Sequence, residues 1–262
     1  MRPKPDHWTA ENAARFQHPS VVDRYPLRAP YPQELFDVLA SLIHDTPRVV
    51  LDVGTGTGDL ARPLAARADL ARVDALDPSA TMLAKARGLP GGDSPRLRWI
   101  AGTAEDAPLD PPYALVTAGE SLHWMDWDRV LPRFRAAGTP NSVLAICYRL
   151  DQREPWHDEL VPIIQRYSTM RKFEEFVMTD ELAARGLFER LGQHETPPRP
   201  FAQPIEDYIA GFHSRSSLSL AALTPEDAAA FDDAVRALVA PRFPDGLVRF
   251  EVAAGVVWGR AL

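Results

Sequence analysis

Arg48-Val49-Val50-Leu51-Asp52-Val53-Gly54-Thr55-Gly56-Thr57-Gly58-Asp59 decides the fold. Its first half is a short apolar, β-branched run after Pro47 and reads as a buried strand. Three glycines at alternate positions follow, and then Asp59-Leu60-Ala61-Arg62-Pro63-Leu64-Ala65-Ala66-Arg67 has helical spacing. Pro63 is tolerable there only within the first turn. In a strand–loop–helix, such glycines remove side chains where a ligand must approach the backbone, and the helix start offers free N–H groups. The alternative is a glycine-rich turn that binds nothing.

Working outward, the pattern repeats. Arg72 to Asp77 reads as a strand, and Ser79 to Arg87 as a helix with Ser79 as N-cap. Arg96 to Ala101, Tyr113 to Ala118 and Ser142 to Tyr148 read as strands, with a helix over Asp126 to Ala137. Strands alternating with helices predict an α/β fold with a parallel sheet covered on both faces. After residue 150 the rhythm changes. Residues 155–178 read as helical insertion, Asp180 to Arg185 as a short helix, and Glu189 to Thr196 as an edge strand. Thr196-Pro197-Pro198-Arg199-Pro200 reads as a rigid extended connector. Ile205–His213 and Pro225–Val239 read as amphipathic helices, the second capped by Thr224, and Leu247–Gly259 as a terminal strand. The expectation is one domain over 1–262: an N-terminal cover (1–47), a core (48–150), and a helical lid from 155–178 and 204–244.

Composition sets outer bounds. The 262 residues are 45% hydrophobic and 25% charged, enough for a sizeable core. Twenty-five prolines, about twice the usual share, exclude one long helical bundle. A single cysteine excludes a disulfide scaffold and a Cys-based zinc site. No histidine pair has metal-ligand spacing, and no metal is expected. Neither a membrane-spanning run nor a signal-peptide core is present, so a cytoplasmic protein is expected. With 29 basic against 36 acidic residues the net charge is −7, which predicts no nucleic-acid partner. A small-molecule partner is expected, and a monomer or homodimer.

Spacing narrows the ligand. A dinucleotide fingerprint beginning at Gly54 requires glycine where Asp59 stands, and an aspartate there repels a pyrophosphate. A phosphate loop requires lysine followed by Ser or Thr, which are absent. An uncharged or cationic nucleoside fits better. On these residues the chain resembles the class I S-adenosylmethionine-dependent methyltransferases: an acidic residue followed by x-G-x-G-x-G (Asp52 to Gly58), Asp77-Pro78-Ser79 with Met82 after strand two, and Gly102-Thr103-Ala104-Glu105-Asp106 after strand three. The resemblance implies a Rossmann-like three-layer sandwich, its seven-stranded, mostly parallel sheet closed by an antiparallel C-terminal strand. It also implies a cofactor, S-adenosyl-L-methionine, held by Asp52, Gly54, Thr55, Gly56, Gly58, Asp77, Pro78, Met82, Ala104, Glu105 and Gly119.

More specifically the chain is similar to small-molecule methyltransferases of the ubiquinone/menaquinone and trans-aconitate type. That similarity puts Tyr25 and Arg28 of the N-terminal cover near the methionine carboxylate, for which arginine is a sensible partner. The other reading of Tyr25–Pro32 is a proline-stiffened surface strap. The implied activity is methyl transfer to O, N or C of a small organic acceptor. The alternatives are an NAD(P)-dependent oxidoreductase and a cofactor-binding regulatory protein without catalysis.

Asp110-Pro111-Pro112-Tyr113 spells a motif that amino-methyltransferases use to hold a target nitrogen, but the apolar strand follows it. It therefore lies at the wrong end of the sheet, since ligands bind outside the carboxyl ends of the strands. Position 119 onward lies at the right end. His123 is the candidate general base, because imidazole takes a proton near neutral pH; the other reading is that it packs beside Trp124. For a carboxylate acceptor no base is needed, and Arg149 and Arg215 are the candidate clamps. Trp124, Tyr148 and Trp156 are candidates for an apolar acceptor wall, or for core.

Overall fold

The computed structural model describes residues 2–150, 154–170 and 176–262. Its strands are β1 (Val49–Val53), β2 (Arg72–Asp77), β3 (Leu97–Ala101), β4 (Tyr113–Gly119), β5 (Gly138–Leu150), β6 (Phe188–Glu195), β7 (Arg199–Pro204) and β8 (Leu247–Ala261). Its α-helices are α1 (Ala10–Ala14), α2 (Pro19–Arg24), α3 (Gln33–Ser41), α4 (Ala61–Ala66), α5 (Ala80–Arg87), α6 (Trp127–Ala137), α7 (His157–Tyr167), α8 (Met178–Ala184), α9 (Ile205–Phe212) and α10 (Pro225–Val239).

The sheet runs β3-β2-β1-β4-β5-β8-β6, parallel from β3 to β5, with β8 antiparallel between β5 and β6. It has eight strands, one more than expected. The additional strand is β7, which pairs with the first half of β8 in the register Arg199↔Val252 to Pro204↔Leu247. Part of the expected connector is therefore strand. Pro200 and Pro204 are tolerated because β7 pairs on one side only, where a missing N–H costs no ladder bond. β8 is long enough to divide its partners, leaving its second half to β5 and β6.

Every residue of β1 is buried, as a central strand covered on both faces requires. Val50 packs with Leu35, Leu39 and Leu64 on one face, while Val49, Leu51 and Val53 meet Trp127, Val130 and Phe134 of α6 on the other. A further apolar cluster joins Leu160 of α7, Phe212 of α9 and Phe231 of α10, and this is the core of the roof. Ser79 caps α5 by accepting from the Met82 N–H at 3.2 Å, and Thr224 caps α10 at 3.1 Å from the Asp227 N–H. α4 starts at Ala61, later than the spacing suggests, and Pro63 falls in its first turn. Of the expected 155–178 insertion, 171–175 lie outside the described residues. No helix among the described residues is long and apolar enough to cross a membrane.

Strand order reverses between β1 and β4, so the loops that leave their carboxyl ends, 54–60 and 119–126, face each other. An open parallel sheet forms its ligand crevice at such a switch point.

Candidate active site

A cavity of about 740 Å³ opens at this switch point and continues beneath the roof. Gly54 and Gly56 line it with φ of +64° and +56°, a left-handed backbone that glycine adopts without strain. The loop is braced from outside. Asp77, at the end of β2, accepts the Gly56 N–H at 2.7 Å through one oxygen and the Ser79 N–H at 2.8 Å through the other. Burial raises its pKa, and those two N–H donors oppose the rise. Each oxygen keeps a further lone pair for a ligand. Pro78, Met82, Ala104 and Glu105 complete this end of the wall. Glu105 accepts the Asp126 N–H at 2.8 Å, and Arg133 of α6 donates to the Ala104 carbonyl at 2.6 Å, which fixes the loop after β3.

Four of the expected cofactor residues stand behind the wall. Asp52 is buried beneath the glycine loop, accepting from Thr55 Oγ1 at 2.5 Å and Thr117 Oγ1 at 2.7 Å. Burial pushes its carboxyl up to about 7. Thr55 is therefore a brace as well. A Cβ on Gly58 would lie 2.6 Å from the Trp99 ring, so this glycine makes room for packing. On Gly119 a Cβ would meet Leu60 Cδ1 at 2.8 Å and Tyr31 Oη at 3.2 Å.

The far end of β4 carries a residue to which the sequence reading gave no role. Glu120 has φ of +51°, a conformation that a non-glycine residue holds only where its surroundings enforce it. They do so through charge. Arg149 Nη1 donates to Glu120 Oε2 at 2.6 Å, and Arg28 Nη1 lies 3.8 Å from the same oxygen. Burial alone would raise the Glu120 carboxyl, but Arg149 and Arg28 outweigh it and hold it below its usual range. The available signal was an ionisable residue directly after a buried strand.

The two arginines are already committed. Besides Glu120, Arg149 binds Asp59 Oδ2 at 2.8 Å and the Ala29 carbonyl at 2.7 Å, and it lies over the Tyr31 ring. Arg149 thus lines the cavity with its guanidinium already bound to three of the protein's own oxygens. Arg28 donates to the hydroxyl and the carbonyl of Ser214, both at 2.8 Å, and to Tyr25 Oη at 3.2 Å. Tyr25 and Arg28 line the cavity while tying the cover to the roof.

His123 and Trp124 also line the cavity. The His123 ring is held between Trp8 and Trp124, with centroids at 5.0 and 4.5 Å. Burial lowers its pKa to about 4, so it is neutral at physiological pH and a weak base. Lys4 donates to the carbonyls of His123 and Met125 and sits over the Trp127 ring at 4.2 Å. The N-terminal residues thereby fix this loop, and no local sequence signal announced that long-range contact.

Two expected acceptor-wall residues lie elsewhere. Trp156 is buried in the roof, its ring N–H on Tyr208 Oη at 3.3 Å. Tyr148 faces away from the cavity and fills the space above Gly255, where a Cβ would come within 2.4 Å of it. Arg215 lines the cavity from an exposed position over the Phe212 ring at 5.1 Å. The Asp110-Pro-Pro-Tyr113 motif is structural: Asp110 lies 2.9 Å from both Arg72 and Arg98, at the opposite end of the sheet. No group of three or more potential metal ligands occurs among the described residues.

A glycine loop after the first strand, a carboxylate closing the second and a crevice at the switch point form one candidate ligand site in an α/β domain. Residues 50–141 match the family model described as a methyltransferase domain. It is 32% identical over 142 residues to trans-aconitate 2-methyltransferase of Variovorax paradoxus, covering 53% of this chain and 52% of that protein. The namesake from Methylobacterium radiotolerans is 34% identical over 123 residues, 46% of this chain and 45% of that one. The chain thus spans about half the length of the curated relatives it matches. A candidate type II methyltransferase from Anaeromyxobacter dehalogenans shares the fold at TM-score 0.63 and 24% identity, covering 89% of this chain and 97% of that one. The [4+2]-cyclase SpnF shares it at TM-score 0.56 and 16% identity, covering 99% and 98%.

Proposed function

We propose that the protein binds S-adenosyl-L-methionine and transfers its methyl group to a small organic molecule. The observation that carries this reading is the cavity itself. One end is a glycine loop with a carboxylate opposite, the other lies under an apolar roof, and the two are continuous. Its volume of about 740 Å³ suits a nucleoside-sized cofactor beside an acceptor. Asp59 stands where the dinucleotide fingerprint requires glycine, which disfavours a nicotinamide dinucleotide.

When bound, S-adenosylmethionine supplies an electrophilic methyl carbon, its bond to sulfur breaking with both electrons on sulfur as the acceptor's lone pair forms the new bond. The chain's residues bind, orient and exclude water. Asp77 offers its remaining lone pairs to ribose hydroxyls, the bare backbone at Gly54 and Gly56 permits close approach, and Pro78, Met82 and Ala104 flank the base. Tyr25 and Arg28 cover the amino-acid end. His123 serves as a neutral hydrogen-bonding partner, and alignment with water exclusion does most of the catalytic work. Sheet, cover and roof act as one domain with a lid. The net charge of −7 supports a small-molecule partner over nucleic acid.

Thermal unfolding with S-adenosylhomocysteine, S-adenosylmethionine and NAD(P) tests the reading. The first two should stabilise by about 2.7 kcal/mol at a hundredfold excess over their dissociation constants, and Asp77→Ala should lose that gain. Stabilisation by NAD(P) alone would overturn it.

A further inference from the structure

Beyond the glycine loop the cavity wall becomes hydrocarbon. Leu160, Val161 and Ile164 of α7, Phe212 of α9, and Phe250 and Val252 of β8 face it. Val161, Ile164, Phe250 and Val252 are only half-buried, so the roof leaves apolar surface open toward the space where an acceptor must sit. The roof cluster behind them is well packed, which makes this a built wall and not a gap between elements.

The charges around the cavity as a whole, its glycine-loop end included, run against an anion. Among the described residues, Asp77, Glu105, Glu120, Glu154 and Glu251 line the cavity, against the guanidiniums of Arg28, Arg149 and Arg215. Arg149 is engaged by Glu120, Asp59 and the Ala29 carbonyl, and Arg28 by Ser214 and Tyr25 beside Glu120. Arg215 and Glu251 are both solvent-exposed, and the remaining lining carboxylates still outnumber the remaining guanidiniums. Several carboxylates brought into this space would lose hydration and meet more negative than positive charge, a cost that apolar contact does not offset.

Resting on the cofactor reading above, we infer that the acceptor has an apolar body and a group that is uncharged or cationic in solution, an alcohol or an amine that reacts in its neutral form, and that polycarboxylates are excluded. Transfer to such a group leaves one proton over, which goes to solvent. The weak basicity of His123 places a limit on the acceptor: its nucleophilic form must be accessible without a strong base in the site.

N-phenyl-1-naphthylamine, a neutral apolar amine whose emission rises and shifts to the blue in hydrocarbon surroundings, is the probe. The full chain in the presence of S-adenosylhomocysteine should bind it saturably, one per chain. Dodecylamine should displace it, and trans-aconitate or citrate at millimolar concentration should not. Val161→Asp and Ile164→Lys should each weaken probe binding at least tenfold while keeping the thermal shift with S-adenosylhomocysteine. The competition needs no variant, so a misfolded substitution does not remove the test. Absence of saturable probe binding, or displacement by trans-aconitate and not by dodecylamine, would overturn the inference while the S-adenosylhomocysteine shift persists. Loss of that shift in the unmodified chain would instead refute the cofactor reading.

Discussion

Gly54→Ala probes the approach of the two loops that make the crevice. A Cβ at this position would lie 2.5 Å from Ser121 Cβ, 3.0 Å from its Oγ and 3.3 Å from Met125 Cε. The left-handed φ of +64° costs an alanine about 1 kcal/mol before any contact is counted. The 2.5 Å contact is backed by buried structure and forces Ser121 aside. Ser121 Oγ then loses its 2.7 Å bond to the Val53 carbonyl, worth about 1 kcal/mol net, and overpacking adds about 2 kcal/mol. The total is about 4 kcal/mol, or about 12 °C in midpoint for a chain of this length. Gly186→Ala is the control, because φ is +70° there and nothing lies within 4 Å of the added carbon. It should cost only the backbone strain, about 1 kcal/mol. Urea unfolding followed by circular dichroism measures both. Equal losses in the two variants would refute the close loop approach and the crevice geometry built on it.

Glu120→Gln removes the 2.6 Å partner of Arg149 and should cost about 3 kcal/mol, the low end for a buried pair because the carboxylate is 30% open. The pH dependence follows from the lowered Glu120 pKa, for which burial raises but Arg149 and Arg28 prevail. A folded pKa below the unfolded value gives stability that is complete above the unfolded value and lost as pH falls through the folded one. Urea unfolding from pH 7 to 3 should therefore show the wild type losing stability more steeply than Glu120→Gln at the acid end; parallel curves would contradict the assignment. For His123, an NMR titration of the imidazole should show a midpoint near 4 because burial disfavours the cation. A midpoint near 6.5 would restore it as an effective general base.

The α/β architecture was legible because buried parallel strands are nearly continuous apolar runs and the glycine loop is a local signal. Gly54 and Gly56 could be placed on the crevice from the glycine spacing, and Asp77, Pro78 and Met82 from the family resemblance. β7 was missed because Pro200 and Pro204 argue against a strand unless it is known to be an edge, and edge status is a property of the assembled sheet. Gly58 and Gly119 look like ligand glycines in sequence, yet Trp99 and Leu60 occupy the space that their missing side chains leave. Trp156 and Tyr148 failed as acceptor-wall residues for the same reason: a residue's type suggests a wall, but only packing decides which wall. The clamp of Lys4 and Trp8 on the His123 loop joins positions 119 and 115 residues apart in the chain, beyond the reach of any local pattern.

The arginines determine how the cavity divides into two chemical halves. As free residues, Arg28 and Arg149 would have made its centre cationic and suited to carboxylates on either the cofactor or the acceptor. Instead, Arg149 joins the ends of β4 and β5 to the glycine loop and the cover through Glu120, Asp59 and the Ala29 carbonyl. Arg28 joins the cover to the roof through Ser214. Each guanidinium thus spends its fork on protein oxygens, which satisfies buried charge and fixes three separate segments around one space. The consequence is electrostatic as well as mechanical. With Glu120 and Asp59 together offsetting the charge of the two guanidiniums, the hydrocarbon of α7, α9 and β8 becomes the main contact surface left in the roofed half of the cavity. The same stitching ties the apolar wall to the cover, because a change at Arg28 releases Ser214 and with it the end of α9 that carries Phe212.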